Sequence, residues 1–439
     1  MSSSSIKDQS GLYIQSSIEK SFLNKKNIYI SGVGGTGKSH LIKHLYHKYK
    51  TNTTFLCSST GISAYNIGGR TIHSWAGFIY PSNIDDPERI LKITMSCIKK
   101  DRTKRIRWKT TSVLFIDEIS MLGGSYLTLL DTVGRLLRDP HKPLGGIQIV
   151  CTGDMLQLPP VNDVYPFEVD VWKNLSFQTY NLNICYRFDD MNFTEILKRA
   201  RVGTLNNKDI EILKSRMNLN IDNDIKPTII LPTNSEVDRI NRNKLDKLEG
   251  ETVIFPAQDY VYNREKEIVK ENIPKDVLDG INCDNLLHIK VGAQVMLTIN
   301  KDIDTGMVNG ARGIVKSITK ISILDDSIIT VKFINGRIEH ISPHEFTIEE
   351  DDRTYVRIGF PLKVCFAITF HKVQGLTLDC VYVDIGSNIF CAGQAYVGLS
   401  RCKNLDSLYL LSFNPKKIYP NKTALQFDIS MKDSIISEM

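Results

Sequence analysis

The feature that most constrains this 439-residue chain is a short glycine-rich segment near its N-terminus, Gly-Val-Gly-Gly-Thr-Gly-Lys-Ser. An apolar run of strand character precedes the segment, and a helix-forming run follows it. In this context the glycines let the backbone curl so that successive N–H groups point at phosphate oxygens. The pattern predicts an α/β fold with a nucleotide-binding loop between a buried strand and a helix. The residues expected to bind the cofactor are Gly32, Val33, Gly34, Gly35, Thr36, Gly37, Lys38 and Ser39.

A second segment supplies the carboxylates that such a loop needs for catalysis. An apolar run at 112–116 ends in Asp117 and Glu118. Beside the loop, Lys38 would bridge the β- and γ-phosphates, while Ser39 and Asp117 would hold Mg²⁺. Glu118 would polarise an attacking water. Alone, the run is also an ordinary strand exit, but together with the loop it predicts hydrolysis of a nucleoside triphosphate.

Apolar runs of strand length alternate with helix-forming segments in two regions of the chain, which indicates buried parallel strands. The runs are 27–32, 54–59, 112–118 and 147–154 in the first region, and 227–233, 364–370, 381–385 and 407–413 in the second. Between them, turn signals at Asp325-Asp326 and Asn335-Gly336 predict an inserted β-barrel at about 245–360. We therefore predict two α/β domains, 1–185 and 186–439, with a further insert at about 76–107 in the first.

Composition limits the compartment and the class of partner. A net charge of +6 suits an anionic partner without requiring one. The nine cysteines are scattered and form no Cys-x-x-Cys pair, which favours a reducing intracellular compartment and argues against structural zinc. Nucleus, cytoplasm and viral replication site are equally compatible with this pattern. No apolar run approaches the roughly 18 residues that cross a bilayer, so no membrane partner is expected.

Further motifs follow the loop along most of the chain. They are 59–64, 68–74, 145–160, 183–187, 231–234, 291–297, 308–313, 369–377 and 394–401. In these motifs the sequence resembles the PIF-type helicases (petite integration frequency), within the RecD-related group of superfamily 1, from about Gln15 to Phe427. Where that family usually has Pro-Phe-Gly-Gly, this chain has leucine at Leu144. The resemblance implies two tandem RecA-like parallel-sheet motor domains, with a small insert in the first and an SH3-like β-barrel insert in the second.

The resemblance also implies roles for single residues. Catalytic roles would fall to Lys38, Asp117, Glu118, Gln157, Arg187 and Arg401. Arg187, at the start of the second domain, would reach across to the triphosphate as an internal arginine finger. Adenine would be read by Gln15, and the nucleotide would also contact Gln374 and Gly375. Nucleic acid would be held by Thr60, Gly61, His73, Ser74, Thr233, Asn234, His371 and Lys372.

The function that the resemblance implies is that of an ATP-dependent DNA helicase using ATP and Mg²⁺. It would translocate 5′-to-3′ on single-stranded DNA and unwind duplex DNA in replication, repair or recombination. Its partners would be single-stranded DNA, forked or 5′-tailed duplexes, and replication or repair proteins, with a monomeric motor. The alternatives are an RNA or RNA–DNA hybrid helicase, an ATP-dependent single-strand remodeller and, more remotely, a P-loop kinase. The basic stretch 80–107 is either a wedge at the duplex fork or a plain structural hairpin.

Overall fold

The structure is a computed structural model whose described residues form two compact units. The described residues are 14–78, 86–188, 190–219, 225–274, 277–278, 281–302, 305–320, 327–350 and 353–437. Unit 1 comprises Met1–Arg187 together with Asn421–Met439, and unit 2 comprises Phe188–Pro420. Within the described ranges, no helix has the length and apolar content needed to cross a membrane.

The core of unit 1 is a six-stranded parallel sheet. Its strands are β1 (Ile28–Gly32), β2 (Thr54–Ser58), β3 (Arg70–Thr71), β4 (Val113–Asp117), β5 (Gln148–Gly153) and β6 (Gln178–Leu182). They lie in the order β3-β2-β4-β5-β1-β6. All residues of β1 and β4 are buried, as expected for a parallel sheet covered on both faces. The four apolar runs predicted as strands in this region are therefore confirmed.

Helices and single 3₁₀ turns connect these strands. The helices are α1 (14–23), α2 (Lys38–Tyr49), α3 (Gly61–Ile67), α4 (Ile72–Ala76), α5 (Pro87–Lys100), α6 (Arg102–Thr110), α7 (Gly124–Leu137) and α8 (Asp170–Asn174). The 3₁₀ turns are Ile119–Met121, Pro143–Gly146 and Pro166–Glu168. Ile18 of α1 and Ile42 of α2 are fully buried in one cluster with Phe115 and Val150 of the sheet. This cluster fixes both helices beside the strand ends that carry the predicted site.

The basic insert of unit 1 is helical in its described part. The carboxylates of Asp86 and Asp101 accept backbone N–H bonds in the first turns of α5 and α6, so each helix has an aspartate cap. Trp108 in α6 is fully buried, with its ring centroid 4.7 Å from that of Trp75. The segment is thus a pair of packed helices, while residues 79–85 lie outside the described residues. Its predicted role as a wedge stays a prediction.

Unit 2 combines a parallel sheet with helices. The parallel strands are β7 (Thr228–Leu231), β19 (Ala367–Thr369), β20 (Val381–Ile385) and β21 (Leu408–Phe413), in the order β19-β7-β20-β21. The helices are α9 (Met191–Val202), α10 (Asn207–Lys214), α11 (Asn234–Asp246), α12 (Phe370–Val373) and α13 (Gln394–Leu399), with 3₁₀ turns at Leu405–Ser407 and Pro415–Lys417. The predicted run at 364–370 forms a parallel strand only over 367–369, because Val364 pairs with Val295 in an antiparallel sheet and the Thr369 hydroxyl caps α12 at the other end.

Antiparallel strands fill the predicted β-rich insert of unit 2. They are β8 (Val253–Pro256), β9 (Gln258–Tyr262), β10 (Ile268–Val269), β11 (Leu286–Ile289), β12 (Gln294–Leu297), β13 (Arg312–Thr319), β14 (Ile328–Phe333), β15 (Ile338–Ile341), β16 (His344–Glu350), β17 (Arg353–Gly359) and β18 (Leu362–Val364). The described strands pair as β10-β9-β17-β16, β11-β8 and β15-β14-β13-β12-β18. The turn predicted at Asn335-Gly336 joins β14 to β15, with Gly336 at φ +84°. Asp325-Asp326 lie outside the described residues.

The last helix, α14 (Lys422–Ser437), belongs to unit 1. Phe427 stacks on Phe167 with ring centroids 4.2 Å apart and planes 5° apart, and its centroid lies 6.3 Å from that of Tyr29. The sequence-based division assigned this segment to the second domain. Its contacts instead group it with the first unit, because its aromatic side chain packs against β1 and the turn before α8.

Candidate functional site

The glycine-rich loop has the predicted strand–loop–helix geometry. It leaves β1 at Gly32 and enters α2 at Lys38. Gly35 and Gly37 have φ of +87° and +84°, in the left-handed region that glycine enters at little cost. A Cβ added to Gly35 would lie 2.5 Å from the Cβ of Arg187, so a larger residue is also excluded by space.

Lys38 is buried inside this loop. Its Nζ donates to the carbonyls of Gly32 at 2.7 Å and Val33 at 3.1 Å. Burial lowers the pKa of the ammonium, while the negative charges of the site, from Asp154 foremost, oppose that shift. The lysine is therefore held by backbone carbonyls of the loop, and several acidic groups act on its charge. The acidic groups that act on it are Asp154, Glu118 and Asp117.

The predicted carboxylate pair lies at the end of β4. Asp117 Oδ1 accepts hydrogen bonds from the Thr152 hydroxyl and, at 3.0 Å, from the backbone N–H of Glu118. Glu118 is buried and has φ 54° and ψ 42°, a left-handed conformation that costs free energy in a residue other than glycine. Its carbonyl accepts from the Ser59 hydroxyl at 2.7 Å. Such strain is concentrated at functional positions of proteins.

Asp154 is a site residue that the sequence-based assignment omitted. It is fully buried directly after β5, and its carboxylate accepts from Gln157 Nε2 at 3.2 Å. The backbone N–H of Gln157 also donates to the Asp154 carbonyl, at 3.0 Å. One signal for Asp154 was present in the sequence, because the apolar run at 147–154 ends in Gly-Asp just as the run at 112–118 ends in Asp-Glu. These strands are neighbours in the sheet, so both acidic ends lie at one edge.

The segment before Arg187 runs along the glycine loop. The Tyr186 N–H donates to the Gly35 carbonyl at 2.9 Å, and the Cys185 thiol lies 3.5 Å from the Gly34 carbonyl. Arg187 was predicted to reach the loop from the second domain. In the structure it is the last residue of the N-terminal part of unit 1, because these two contacts hold its segment at the loop. Its positive charge acts on Lys38 from within the same unit.

Gln15 and Ser39 were predicted to bind adenine and the metal ion. Both lie in helices that flank the glycine-rich loop, and no contact of either residue described here tests its role. Gln15 is half-buried in α1, and Ser39 is exposed in the first turn of α2. The loop residue Thr36 is buried, and its hydroxyl donates to the Val33 carbonyl at 2.9 Å, which stabilises the loop itself. The adenine and metal roles of Gln15 and Ser39 stay predictions.

In unit 1, the predicted nucleic-acid residues lie around two helix starts. Thr60 caps α3, accepting the Ser63 N–H at 3.3 Å, and Gly61 is the first residue of that helix. His73 lies in α4, with its ring centroid 4.4 Å from that of Tyr126. Ser74 is buried in α4, and its carbonyl accepts from Arg107 at 3.2 Å. Ser74 therefore has a packing role whether or not it approaches DNA.

In unit 2, the predicted nucleic-acid residues lie at one edge of the parallel sheet. Thr233 caps α11, which begins at Asn234, after β7. His371 and Lys372 lie in α12, after β19, the strand next to β7. Lys372 is exposed, and His371 is half-buried, which lowers the pKa of its imidazole. Because neighbouring parallel strands end at the same edge, these two loops lie at one edge of the sheet, and their contact with DNA stays a prediction.

Each nitrogen of the Arg401 guanidinium donates a hydrogen bond within unit 2. The guanidinium donates to the carbonyls of Val397 at 2.7 Å, Leu376 at 3.2 Å and Val373 at 3.3 Å, and to the Ser400 hydroxyl at 2.6 Å. The nearby Gln374 is buried, and Gly375 has φ +81°. These contacts position the segment that follows α12, and contact of the three residues with nucleotide stays a prediction.

Comparisons with known proteins identify the family of the chain. The family model described as PIF1-like helicase matches residues 6–209, and the one described as DNA helicase Pif1, 2B domain, matches residues 279–318. The ATP-dependent DNA helicase PIF1 of Xenopus laevis is 33% identical over 420 residues, covering 94% of this chain and 63% of the Xenopus protein. The chain thus spans less than two thirds of the length of that curated relative.

Two solved structures extend the likeness to the three-dimensional fold. Pif1 helicase from Candida albicans is 31% identical with a TM-score of 0.75, covering 95% of this chain and 98% of the Candida chain. Pif1 helicase from Bacteroides in complex with ADP-AlF3 and ssDNA is 26% identical with a TM-score of 0.65, covering 96% and 97% of the two chains. Both likenesses include unit 1 and unit 2.

Proposed function

This chain belongs to the PIF1-like helicase family, and from that premise we propose that it couples ATP hydrolysis to 5′-to-3′ movement on single-stranded DNA and to unwinding of duplex DNA. The observation that carries the proposal is the gathering of charged side chains at one glycine loop. They are Lys38, Asp117, Glu118 and Arg187. The Xenopus relative is an ATP-dependent DNA helicase and the Bacteroides structure holds ADP-AlF3 and ssDNA, which supports these substrates.

The loop residues prepare the site for a triphosphate. Lys38 donates to two loop carbonyls, and phosphate oxygens are stronger acceptors for an ammonium than neutral carbonyls are. Bound phosphate would therefore compete well for this donor. Glu118 follows Asp117 directly, but its left-handed backbone turns its side chain out of the strand direction. The two carboxylates can then act separately, and we assign to Glu118 the general base that polarises water.

The charge balance around the loop supports a divalent cation. The negative groups are Asp117, Glu118 and Asp154, and the positive groups are Lys38 and Arg187. A polyanionic triphosphate would meet an excess of negative charge there. Carboxylate and hydroxyl oxygens are donors that Mg²⁺ takes together with phosphate oxygens, so the donor set fits, and we propose that Asp117 and Ser39 hold Mg²⁺. Bound Mg²⁺ would neutralise charge on the reacting phosphates.

The predicted DNA contacts suit recognition of a backbone rather than a base sequence. Thr60 and Thr233 lie at helix starts that present N–H groups, and Lys372 adds an exposed cation. Such groups bind phosphates and carry little sequence information. We therefore propose a monomeric motor on single-stranded, forked or 5′-tailed DNA without sequence preference, acting with replication or repair proteins.

A first experiment tests the ATP site. Lys38→Ala should abolish ATP hydrolysis, because it removes the cation inside the loop, while the circular dichroism spectrum is retained. The matched control is Lys48→Ala, which removes an exposed lysine of the same helix that pairs with Glu19 at 2.9 Å. Hydrolysis by the Lys38 variant at the rate of the control would refute the assigned site.

A second experiment tests substrate and direction. Duplexes with a 5′ or a 3′ single-stranded tail are prepared as DNA and as RNA, and strand separation is followed with ATP and Mg²⁺. We expect unwinding of the 5′-tailed DNA. Preference for the 3′-tailed DNA contradicts the direction, and faster separation of RNA indicates an RNA helicase. DNA-stimulated hydrolysis without strand separation indicates a remodeller.

We also propose that the protein works in a reducing, intracellular compartment. Its nine cysteines are all free thiols, and Cys97 is exposed. Intramolecular disulfides found by mass spectrometry in protein alkylated directly from its natural source would contradict this.

A further inference from the structure

Phe390 is an exposed aromatic residue on the loop 386–393, which joins β20 to α13 in unit 2. The residue is 62% exposed, whereas its neighbour Ile389 is 1% exposed. We propose, as a deepening of the proposed DNA-binding function, that the Phe390 ring is a stacking platform for a base of bound single-stranded DNA. Its ligand would be an unpaired base of any sequence, because every base has a face that an aromatic ring can stack on.

The sheet register places this loop beside the predicted DNA contacts. β20 pairs with β7 through Val383 and Ile230, and β7 pairs with β19 through Leu231 and Thr369. All three strands are parallel, so the chain leaves them at one edge of the sheet. The loop that carries Phe390 therefore leaves the same edge as the loops predicted to hold DNA phosphates.

One side-chain contact joins the loop directly to the predicted DNA-contact helix. Asn388, two residues before Phe390, places its Nδ2 3.5 Å from Glu236 Oε1. Glu236 lies in the first turn of α11, where its other carboxylate oxygen accepts from the Thr233 hydroxyl at 2.7 Å. The ring is thus carried by a loop that touches the helix start at Thr233.

The backbone around Phe390 is fixed on both sides. Gln394 Oε1 accepts the N–H groups of Phe390 and Cys391, each at 3.2 Å, and Gln394 itself is fully buried. The Ile389 carbonyl accepts from Lys417 Nζ at 2.7 Å. Because the backbone is held in this way, the loop that presents the ring has little backbone freedom left to lose when a ligand binds. That preorganisation favours binding of a planar ligand.

The charges at this edge suit a nucleic-acid strand. Lys372 in α12 is exposed, and so is Lys416 in the turn after β21, the strand next to β20. Two carboxylates, those of Asp384 and Glu236, also lie at this edge, and each accepts a hydrogen bond from a neighbouring hydroxyl. Exposed cations for phosphates beside an aromatic ring for a base are the combination found in single-strand binding proteins.

The experiment measures affinity for a labelled oligothymidine of about 12 nucleotides by fluorescence anisotropy. Phe390→Ala should weaken binding roughly 5- to 150-fold, the effect expected for the loss of one stacked base. Phe390→Trp should bind at least as tightly as the natural chain, because it retains an aromatic face. Phe390→Leu should resemble Phe390→Ala, because leucine retains apolar bulk but lacks the aromatic face on which a base stacks.

Two further readouts separate stacking from a structural effect. An oligothymidine that carries abasic sites should bind the natural chain more weakly than the intact strand, and Phe390→Ala should lose less affinity on the same change, because it has no ring for a base to stack on. The three natural tryptophans, Trp75, Trp108 and Trp172, are at most 7% exposed. The emission that Phe390→Trp adds should therefore be quenched when DNA binds. Thermal midpoints of all variants should match that of the natural chain.

The control variant is Ile338→Ala, which removes a side chain that is 61% exposed on β15, in the antiparallel insert. It should bind the oligonucleotide normally. Unchanged affinity of Phe390→Ala, or rescue by leucine as complete as by tryptophan, would overturn the inference. If DNA stimulates ATP hydrolysis by the natural chain, but the Phe390 variants bind the oligonucleotide as tightly as the natural chain, only this inference fails. If the natural chain neither binds single-stranded DNA nor responds to it, the proposed function fails as well.

Discussion

The left-handed backbone at Glu118 leads to a prediction about stability that can be separated from catalysis. Glu118 has φ 54° and ψ 42° and sits at the end of β4, beside the phosphate loop. The perturbation is a pair of variants, Glu118→Gln and Glu118→Gly. Both remove the carboxylate, so both should lose ATP hydrolysis, by about 100-fold or more for a general base. The two variants differ in the cost of the backbone conformation at residue 118, because only glycine occupies it without strain.

The size of the difference follows from two opposing terms. A left-handed conformation costs an L-residue roughly 1–2 kcal/mol, and Glu118→Gly removes that cost while Glu118→Gln retains it. Glycine loses more conformational entropy on folding, which offsets roughly 0.5–1 kcal/mol of the gain. The backbone bonds are common to both variants, since the N–H to Asp117 and the carbonyl bond from Ser59 do not use the side chain. The glycine variant should therefore be more stable by about 0.5–1 kcal/mol.

The assay is urea denaturation followed by circular dichroism and intrinsic fluorescence, with thermal midpoints as a second measure. For a unit of this size, about 1 kcal/mol corresponds to roughly 2–4 °C in the thermal midpoint. Lys25 provides the matched control, because it has φ 57° but is exposed and outside the site. Lys25→Gly should exceed Lys25→Gln in stability by a similar amount while retaining hydrolysis.

One result would refute this reasoning. If Glu118→Gly is no more stable than Glu118→Gln while the Lys25 pair behaves as expected, then the backbone at Glu118 stores no net strain. The left-handed conformation would then be no sign of a functional constraint. Retained hydrolysis in either Glu118 variant would independently remove Glu118 from the role of general base.

Three further predictions concern packing, ion pairing and pH. Trp108→Ala should lower the free energy of unfolding by about 3–5 kcal/mol in urea denaturation, because it empties a fully buried site and loses the Nε1 bond to the Ala76 carbonyl. Arg312→Met should lower the free energy of unfolding by about 3 kcal/mol, because it leaves the Asp379 carboxylate without the guanidinium that donates two hydrogen bonds to it. A smaller loss than that caused by Asp379→Asn would contradict this prediction. Burial lowers the pKa of His371, so the unfolded chain takes up a proton below about pH 6.5 that the folded chain does not. Stability should fall as the pH drops through that range, and His371→Asn should make the fall smaller in denaturation curves measured at several pH values.

The parts of the fold that were predictable from sequence are those set by short stretches of chain. The loop between β1 and α2 depends on glycines at fixed spacing, and β4 is a continuous apolar run. By contrast, β6 reads Gln-Thr-Tyr-Asn-Leu and is half-buried throughout, so its apolar content gave no signal. It becomes a strand only because β1 offers it a pairing edge over residues 178–182. Such tertiary pairing overrides local composition.

The parts of the site that were missed depend on contacts between distant segments. Asp154 becomes important because β5 lies between β4 and β1, a sheet order that the sequence does not state. The placement of Arg187 in unit 1 rests on the hydrogen bond from Tyr186 to Gly35, which joins residues far apart in sequence. In both cases the residue type was visible, and only the pairing of strands or loops showed where its charge acts.

The threonines predicted to contact DNA already use their hydroxyl groups in hydrogen bonds within the protein. The Thr60 hydroxyl accepts the Ser63 N–H and donates to the Ser63 hydroxyl at 3.0 Å. The Thr233 hydroxyl accepts the Glu236 N–H at 3.4 Å and donates to the Glu236 carboxylate at 2.7 Å. Each hydroxyl proton is thus already used within its own helix cap. A phosphate at either position would then be bound through free backbone N–H groups of the first turn, which the cap holds in place, rather than through the hydroxyl. Thr60 and Thr233 are therefore better understood as caps that fix the start of a helix than as residues whose side chains bind phosphate directly.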